Sequence, residues 1–231
     1  MAELAPETPG APKRLASLFG NVELVIVILL GIVSVTTAYA SFQAALYDSS
    51  MAGNYSKGQA AQTEAESLYL EANQQYIQDV QTWARLTELS IDMESSDAET
   101  AAAANAKFDT LYFVSVGEDL DAAIIWSQEQ NDADPGTYTS PFDSDDYEAA
   151  LFGAWAELDD ESAAFLAQGD AANSFSDRLT LNTVLMAITL FLLGVAAVLA
   201  QRRMQYVLIA VGGAIYVLAL GLTLAIPFIS L

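Results

Sequence analysis

"TAYASFQAALYDSS", residues 37–50, joins an apolar run to an acidic, Gln-rich run with no Gly or Pro between them. A chain that left a membrane through a turn would place helix breakers at that boundary. This stretch keeps a helical spacing instead. Tyr39, Gln43 and Tyr47 recur every four residues with Phe42 and Leu46 beside them, so aromatic rings and an amide share one helical face. One helix is therefore expected to cross the boundary and carry a helical domain on its far side.

Composition agrees with that division. The chain has 231 residues, 53% of them hydrophobic, and a formal charge of −22, which disfavours nucleic acid as a partner. Such apolarity and such charge coexist only if they are segregated. Residues 24–40, 179–200 and 206–231 carry no charge, and each run is near the roughly 20 residues a helix needs to cross the hydrocarbon of a bilayer. Between the first two runs, residues 48–178 hold 27 of the 30 acidic residues against Lys57, Arg85, Lys107 and Arg178, a formal charge of −23. The expected order is a tail at 1–21, a first span at 22–47, an acidic helical domain at 48–178, a second span at 179–200, a short loop at 201–205 and a third span at 206–231.

Orientation follows from the basic residues. Lys13 and Arg14 precede the first span, and Arg202 and Arg203 fill the loop between the second and third. The positive-inside bias puts both on the cytoplasmic side, and the acidic domain and the end of the third span on the other. The basic pair, the apolar run and "AYA" at 38–40 also match a secretory signal with an A-x-A cleavage site. The apolar run exceeds the usual signal core and the helical pattern continues past Ala40, so an uncleaved anchor is expected.

Beyond Asp48 the period stays helical. Tyr69, Tyr76, Val80, Trp83, Leu86 and Leu89 recur at helical spacing, which predicts one helix from about residue 22 to residue 93. At about 1.5 Å per residue it would run about 108 Å, and Gly53 marks the place for a bend. "SDAE" at 96–99 reads as a capping box opening a second helix from Asp97 to about Gln130, with Gly117 as its weak point. "NDADPGTYTSPF" at 131–142 is a turn. A third helix then carries Tyr147, Leu151, Trp155, Leu158 and Phe165 on one side and passes Gly169 into the second span. The fold expected is all-α: three transmembrane helices with an acidic extracytoplasmic three-helix bundle continuous with spans one and two. Trp83 and Trp155 are expected in its core.

"TAYASFQAALYD", "PGTYTSPFDSDDYEAA" at 135–150 and "GDAANSFSDRLTLNTVLMAITLFLLGVA" at 169–196, followed by a basic loop and a last apolar helix, resemble a group of uncharacterised bacterial membrane proteins. The similarity covers most of residues 30–230. It implies three spans with a helical extracytoplasmic segment between the first two, in a bacterial plasma membrane, and no assigned reaction. Members of the group commonly carry Trp where Tyr39 and Tyr47 stand and Tyr where Phe42 stands, whereas Gln43 matches.

The chain has no His and no Cys, which excludes thiol nucleophiles, His-based triads and Cys or His metal ligation within it. No catalytic, cofactor or metal residue is assigned. Acidic clusters at Glu118, Asp119 and Asp121, at Asp143, Asp145, Asp146 and Glu148, and at Asp159, Asp160 and Glu161 match no defined cation loop. They read as a solvated face, with weak divalent-cation binding as the alternative. Glu23, just before the apolar run, reads as a helix N-terminal anion.

Candidate interface and interhelical residues are Tyr39, Phe42, Gln43 and Tyr47 on the first span and Thr180, Asn182 and Thr183 at the start of the second. Gln43 and Asn182 are expected to meet by a direct or water-mediated hydrogen bond at the outer boundary. Ala210, Ala214, Gly221 and Ala225 form a small-residue face on the third span that suits close helix packing, within the chain or between chains. These features point to a non-enzymatic membrane protein, a scaffold or accessory subunit that presents an acidic ectodomain to a partner or to itself as a homo-oligomer. The alternative is an oligomeric cation channel with an acidic mouth.

Overall fold

The computed structural model describes residues 22–230; the tail at 1–21, with Lys13 and Arg14, and Leu231 lie outside the described residues. The described residues form helices α1 (Val22–Met93), α2 (Ala98–Ser115), α3 (Glu118–Ala133), α4 (Asp145–Val198) and α5 (Arg202–Leu224), with a 3-10 turn at Pro141–Asp143 and no strand. Stretches of α1, α4 and α5 are long and apolar enough to cross a membrane. By contacts the chain divides into two compact units. One takes in α1 as far as Asn54 and the chain from Ala167 onward; the other is Tyr55–Leu166, which carries most of the acidic residues.

In the apolar unit α1 buries Ile26, Val33, Ala40 and Tyr47, each seven residues after the last, and α4 buries Ala172, Leu179, Met186 and Leu193 at the same interval. A seven-residue repeat of buried positions is the seam of helices packed at a shallow left-handed angle. α5 contributes Gln205, Gly212 and Ala219, again seven apart, with Thr223 one turn further on. Within the chain, the expected small-residue face is not the one that packs. Ala210, Ala214, Gly221 and Ala225 are exposed and do not hold α5 to its neighbours within the chain. The close approach occurs at Gly212, where a Cβ would lie 3.6 Å from Leu192, and where the Thr189 hydroxyl donates to the Gly212 carbonyl at 3.3 Å.

In the acidic unit α1 continues with a repeat of its own: Gly58, Ala65, Ala72, Asp79 and Leu86 are buried at seven-residue intervals. Small residues at one end let α4 come close. A Cβ on Gly58 would stand 2.9 Å from Leu166, and the Ser162 hydroxyl donates to the Gly58 carbonyl at 2.9 Å. Larger residues close the other end, where Leu120, Ala123, Ile124 and Tyr147 pack with Trp83, Tyr112, Phe142 and Leu151. Trp83 and Trp155 are half-buried rather than fully packed. The Trp155 ring is tilted at 57° to that of Tyr69, ring centres 5.3 Å apart.

The expected second helix is interrupted at its weak point, Gly117, and is two helices. Val116 and Gly117 are extended, with φ −91° and −80°, so no left-handed glycine geometry makes the break. Val116 turns into the core, and Glu118, Asp119 and Asp121 start α3 where its unpaired N–H groups favour anions. The α2 cap is Asp97, whose carboxylate accepts from the Thr100 N–H and hydroxyl, so the cap lies one residue beyond Ser96 and is a simple side-chain cap in place of the box read at 96–99.

The turn before α4 is built on Asn131. Its side chain donates to the carbonyls of Ser127 and Thr139 at 2.8 and 2.9 Å and accepts from the Thr139 N–H at 2.7 Å. Ser140 and Asp143 then cap the 3-10 turn reciprocally.

Candidate functional site

Two polar clusters stand out, one in each unit. The first is built on the stretch 37–50. Gln43 is 3% exposed and Tyr47 is buried one turn further along α1. α5 ends at Leu224, and the non-helical chain that follows passes these two side chains. The Gln43 amide donates to the Ile229 carbonyl at 3.3 Å and accepts from the Ile229 N–H at 3.1 Å, and the Tyr47 hydroxyl donates to the Pro227 carbonyl at 2.7 Å. Ile226 and Ile229 pack with Ala40, Ala44, Tyr47 and Phe175. Ser176 donates to the Ala44 carbonyl at 3.2 Å, which ties α4 to α1 beside the clasp.

This arrangement corrects the expected pairing of Gln43 with Asn182. A peptide group freed at the end of a helix needs both a donor and an acceptor, and an amide side chain supplies both at once. Asn182 has one polar atom, Nδ2, that is buried with no partner, and the residue is 2% exposed. Thr183 donates back to the Thr180 carbonyl, and Thr180 is exposed. Tyr39 and Phe42 are exposed as well. The expected set therefore divides: Gln43 and Tyr47 act together, and Tyr39, Phe42, Thr180 and Thr183 do not join them. Deeper in the same unit the hydroxyls of Thr36 and Tyr216 pair at 2.8 Å.

The second cluster centres on Asp79, a carboxylate 3% exposed at a position of the α1 repeat that its neighbours fill with apolar or small side chains. Tyr147 donates to it at 2.7 Å and Gln75 at 2.8 Å. No cation is paired with it among the described residues. Burial first, then the hydrogen bond to Asp79 and the charge of that carboxylate, raise the Tyr147 phenol above its ordinary value. Tyr112 donates to Asp121 on the next helix and is pushed up to about 12, chiefly by burial.

Sequence reading missed Asp79 because it stands among many acidic residues. The available signal was its seven-residue spacing from Ala72 and Leu86. The strap at 226–230 had no such signal, since nothing local in it points to Gln43. Among the described residues no group of three or more acidic side chains is placed to hold a metal ion. The three acidic clusters instead occupy the first turn of α3, the start of α4 and the exposed side of α4. At Asp143 the carboxylate caps the 3-10 turn. Comparison with protein-family models, with curated proteins and with solved structures finds no match to this chain.

Proposed function

We propose that this chain is a non-enzymatic, multi-pass protein of a bacterial plasma membrane, a scaffold or accessory subunit that presents an acidic helical ectodomain to a partner or to a second copy. The observation that carries the reading is the continuity of α1 and α4. Each runs without a break from an apolar stretch into the acidic unit, over 72 and 54 residues. Two continuous helices that lead out of apolar stretches anchor the acidic unit, which suits a scaffold. In this reading Lys13, Arg14, Arg202 and Arg203 face the cytoplasm, the acidic helices form an extracytoplasmic bundle and the polar clusters serve structure. The resemblance to three-span bacterial membrane proteins belongs to the same proposal.

The test is crosslinking in the native membrane, followed by purification in mild detergent and mass measurement. The reading expects the chain in an assembly heavier than one copy. A lone chain that crosslinks to nothing overturns it. Cation flux through liposomes holding the pure protein would replace the scaffold with a channel.

A further inference from the structure

A recess of about 510 Å³ opens between α1 and α2 in the acidic unit, within the size range of small-molecule sites. Asp79 lines it, buried and held only by neutral donors. A carboxylate has four lone-pair sites, and the bonds from Gln75 and Tyr147 fill one on each oxygen, which leaves capacity for a further donor. A charge buried without a counter-charge is costly, so a cationic group that reaches it is held strongly. Arg85 lines the same recess six residues further along α1, about 9 Å along the helix axis. Its guanidinium touches Glu88 in a pair exposed to solvent, the kind that contributes little and yields readily to a better anion. Between the two charges lie Gln78 and Thr82 of α1 and Ser115 of α2, all able to donate and accept. Leu111 and Val114 form an apolar wall, which continues into an adjoining recess beside Leu89 and Ala106.

We propose that this recess binds a free α-amino acid with an apolar side chain, its ammonium on Asp79, its carboxylate on Arg85 and its side chain against Leu111 and Val114. The proposal goes beyond the scaffold reading, in which the Asp79 cluster serves structure alone, and does not depend on it. Charge selects the class of ligand. A bare cation drawn to Asp79 also meets Arg85, and Lys107 in the adjoining recess. A bare anion drawn to Arg85 enters the field of residues 55–166, whose 24 acidic and three basic residues give a formal charge of 3 − 24 = −21. A zwitterion answers both local charges and has no net charge for either to repel. Reach agrees with this choice. Helical side chains tilt toward the N-terminus of their helix, so Arg85, on leaving Glu88, leans back toward Asp79 and brings the two charges to the spacing of one amino acid.

Calorimetric titration of the full chain in mild detergent, with leucine as the probe, tests the site. Leucine binds saturably, whereas 3-methylbutylamine, which is leucine without its carboxylate, and 4-methylpentanoate, which is leucine without its ammonium, each bind roughly tenfold or more weakly. Arg85→Gln lowers the affinity for leucine by a similar factor and leaves that for 3-methylbutylamine unchanged. Because Arg85 is exposed, that variant keeps the melting temperature of the parent chain. Asp79→Asn, checked for folding by circular dichroism, lowers the affinity for leucine as well. The absence of saturable leucine binding overturns the proposal, as do equal affinities for the three probes or an affinity for leucine that survives Arg85→Gln. Leucyl-leucine tests the source of the zwitterion, and tighter binding of it than of leucine overturns the assignment to a free amino acid.

Discussion

Asp79 occupies a core position on a helix whose other repeat positions are Gly58, Ala65, Ala72 and Leu86, and it is held by neutral donors only. Removing one partner of a buried hydrogen bond costs more than replacing both, because the group left behind stays desolvated. Tyr147→Phe is therefore expected to cost about 1–3 kcal/mol. The double variant Tyr147→Phe with Asp79→Leu should recover much of that loss in a double-mutant cycle read by thermal or urea unfolding. Strict additivity would show that Asp79 is solvated. The tyrosines also set a pH response. A group whose folded pKa lies above its unfolded value contributes stability that is complete below the unfolded value, near about 10 for Tyr, and is lost as pH rises through the folded value. Tyr112 is pushed up to about 12 and Tyr147 is raised as well, so the melting temperature should fall with alkali from about pH 10 upward. Replacing both tyrosines by Phe should flatten that fall, and an unchanged slope would assign it to other groups.

Glycine at two places on α1 illustrates what an element asks of its residues. A Cβ on Gly53 would meet nothing within 4 Å, whereas one on Gly58 would press on Leu166 at 2.9 Å and on the Ser162 carbonyl at 3.3 Å. Gly53→Ala should stabilise by about 0.5–1 kcal/mol through helix propensity alone. Gly58→Ala gains the same propensity but overpacks the α1–α4 contact, a cost of typically 1–3 kcal/mol, so its net effect should be a loss. Unfolding of the two variants side by side checks the sign, and a gain at Gly58 would mean that Leu166 moves aside freely. The lengths of α1 and α4 were legible because an uninterrupted helical period and few breakers leave one reading. The break between α2 and α3 was legible as the weak point at Gly117, but the inward turn of Val116 beside it was not, because it depends on which side chain the core accepts. Nor was the clasp on Gln43, because a side-chain amide pairs with whatever peptide group the fold brings to it, and sequence spacing on one helix cannot show a strap 186 residues away. For a related reason the spacing of Ala210, Ala214, Gly221 and Ala225 identified a face without saying whether anything in the same chain lies against it, and all four are exposed.

At the scale of the whole molecule, stretches of α1, α4 and α5 are long and apolar enough to cross a membrane, and a crossing by the second would put two exposed positions that flank it on opposite sides. Asp145, at the start of α4, and Gln201, between α4 and α5, are both exposed, so neither is hidden by folding. Their reactivity toward an impermeant thiol reagent then reports sidedness alone, and the absence of native cysteine removes any background. The distribution of Lys13, Arg14, Arg202 and Arg203 in short segments next to the apolar stretches is the term that sets direction, since acidic residues contribute little to it. In intact cells a cysteine at position 145 should be labelled and one at 201 should not, with 201 becoming reactive once the membrane is opened. Labelling of 201 alone would reverse the orientation and with it the proposed extracytoplasmic bundle. Labelling of both in intact cells would mean that α4 does not cross the bilayer, and the reading of an acidic domain rooted in the membrane by two continuous helices would fall.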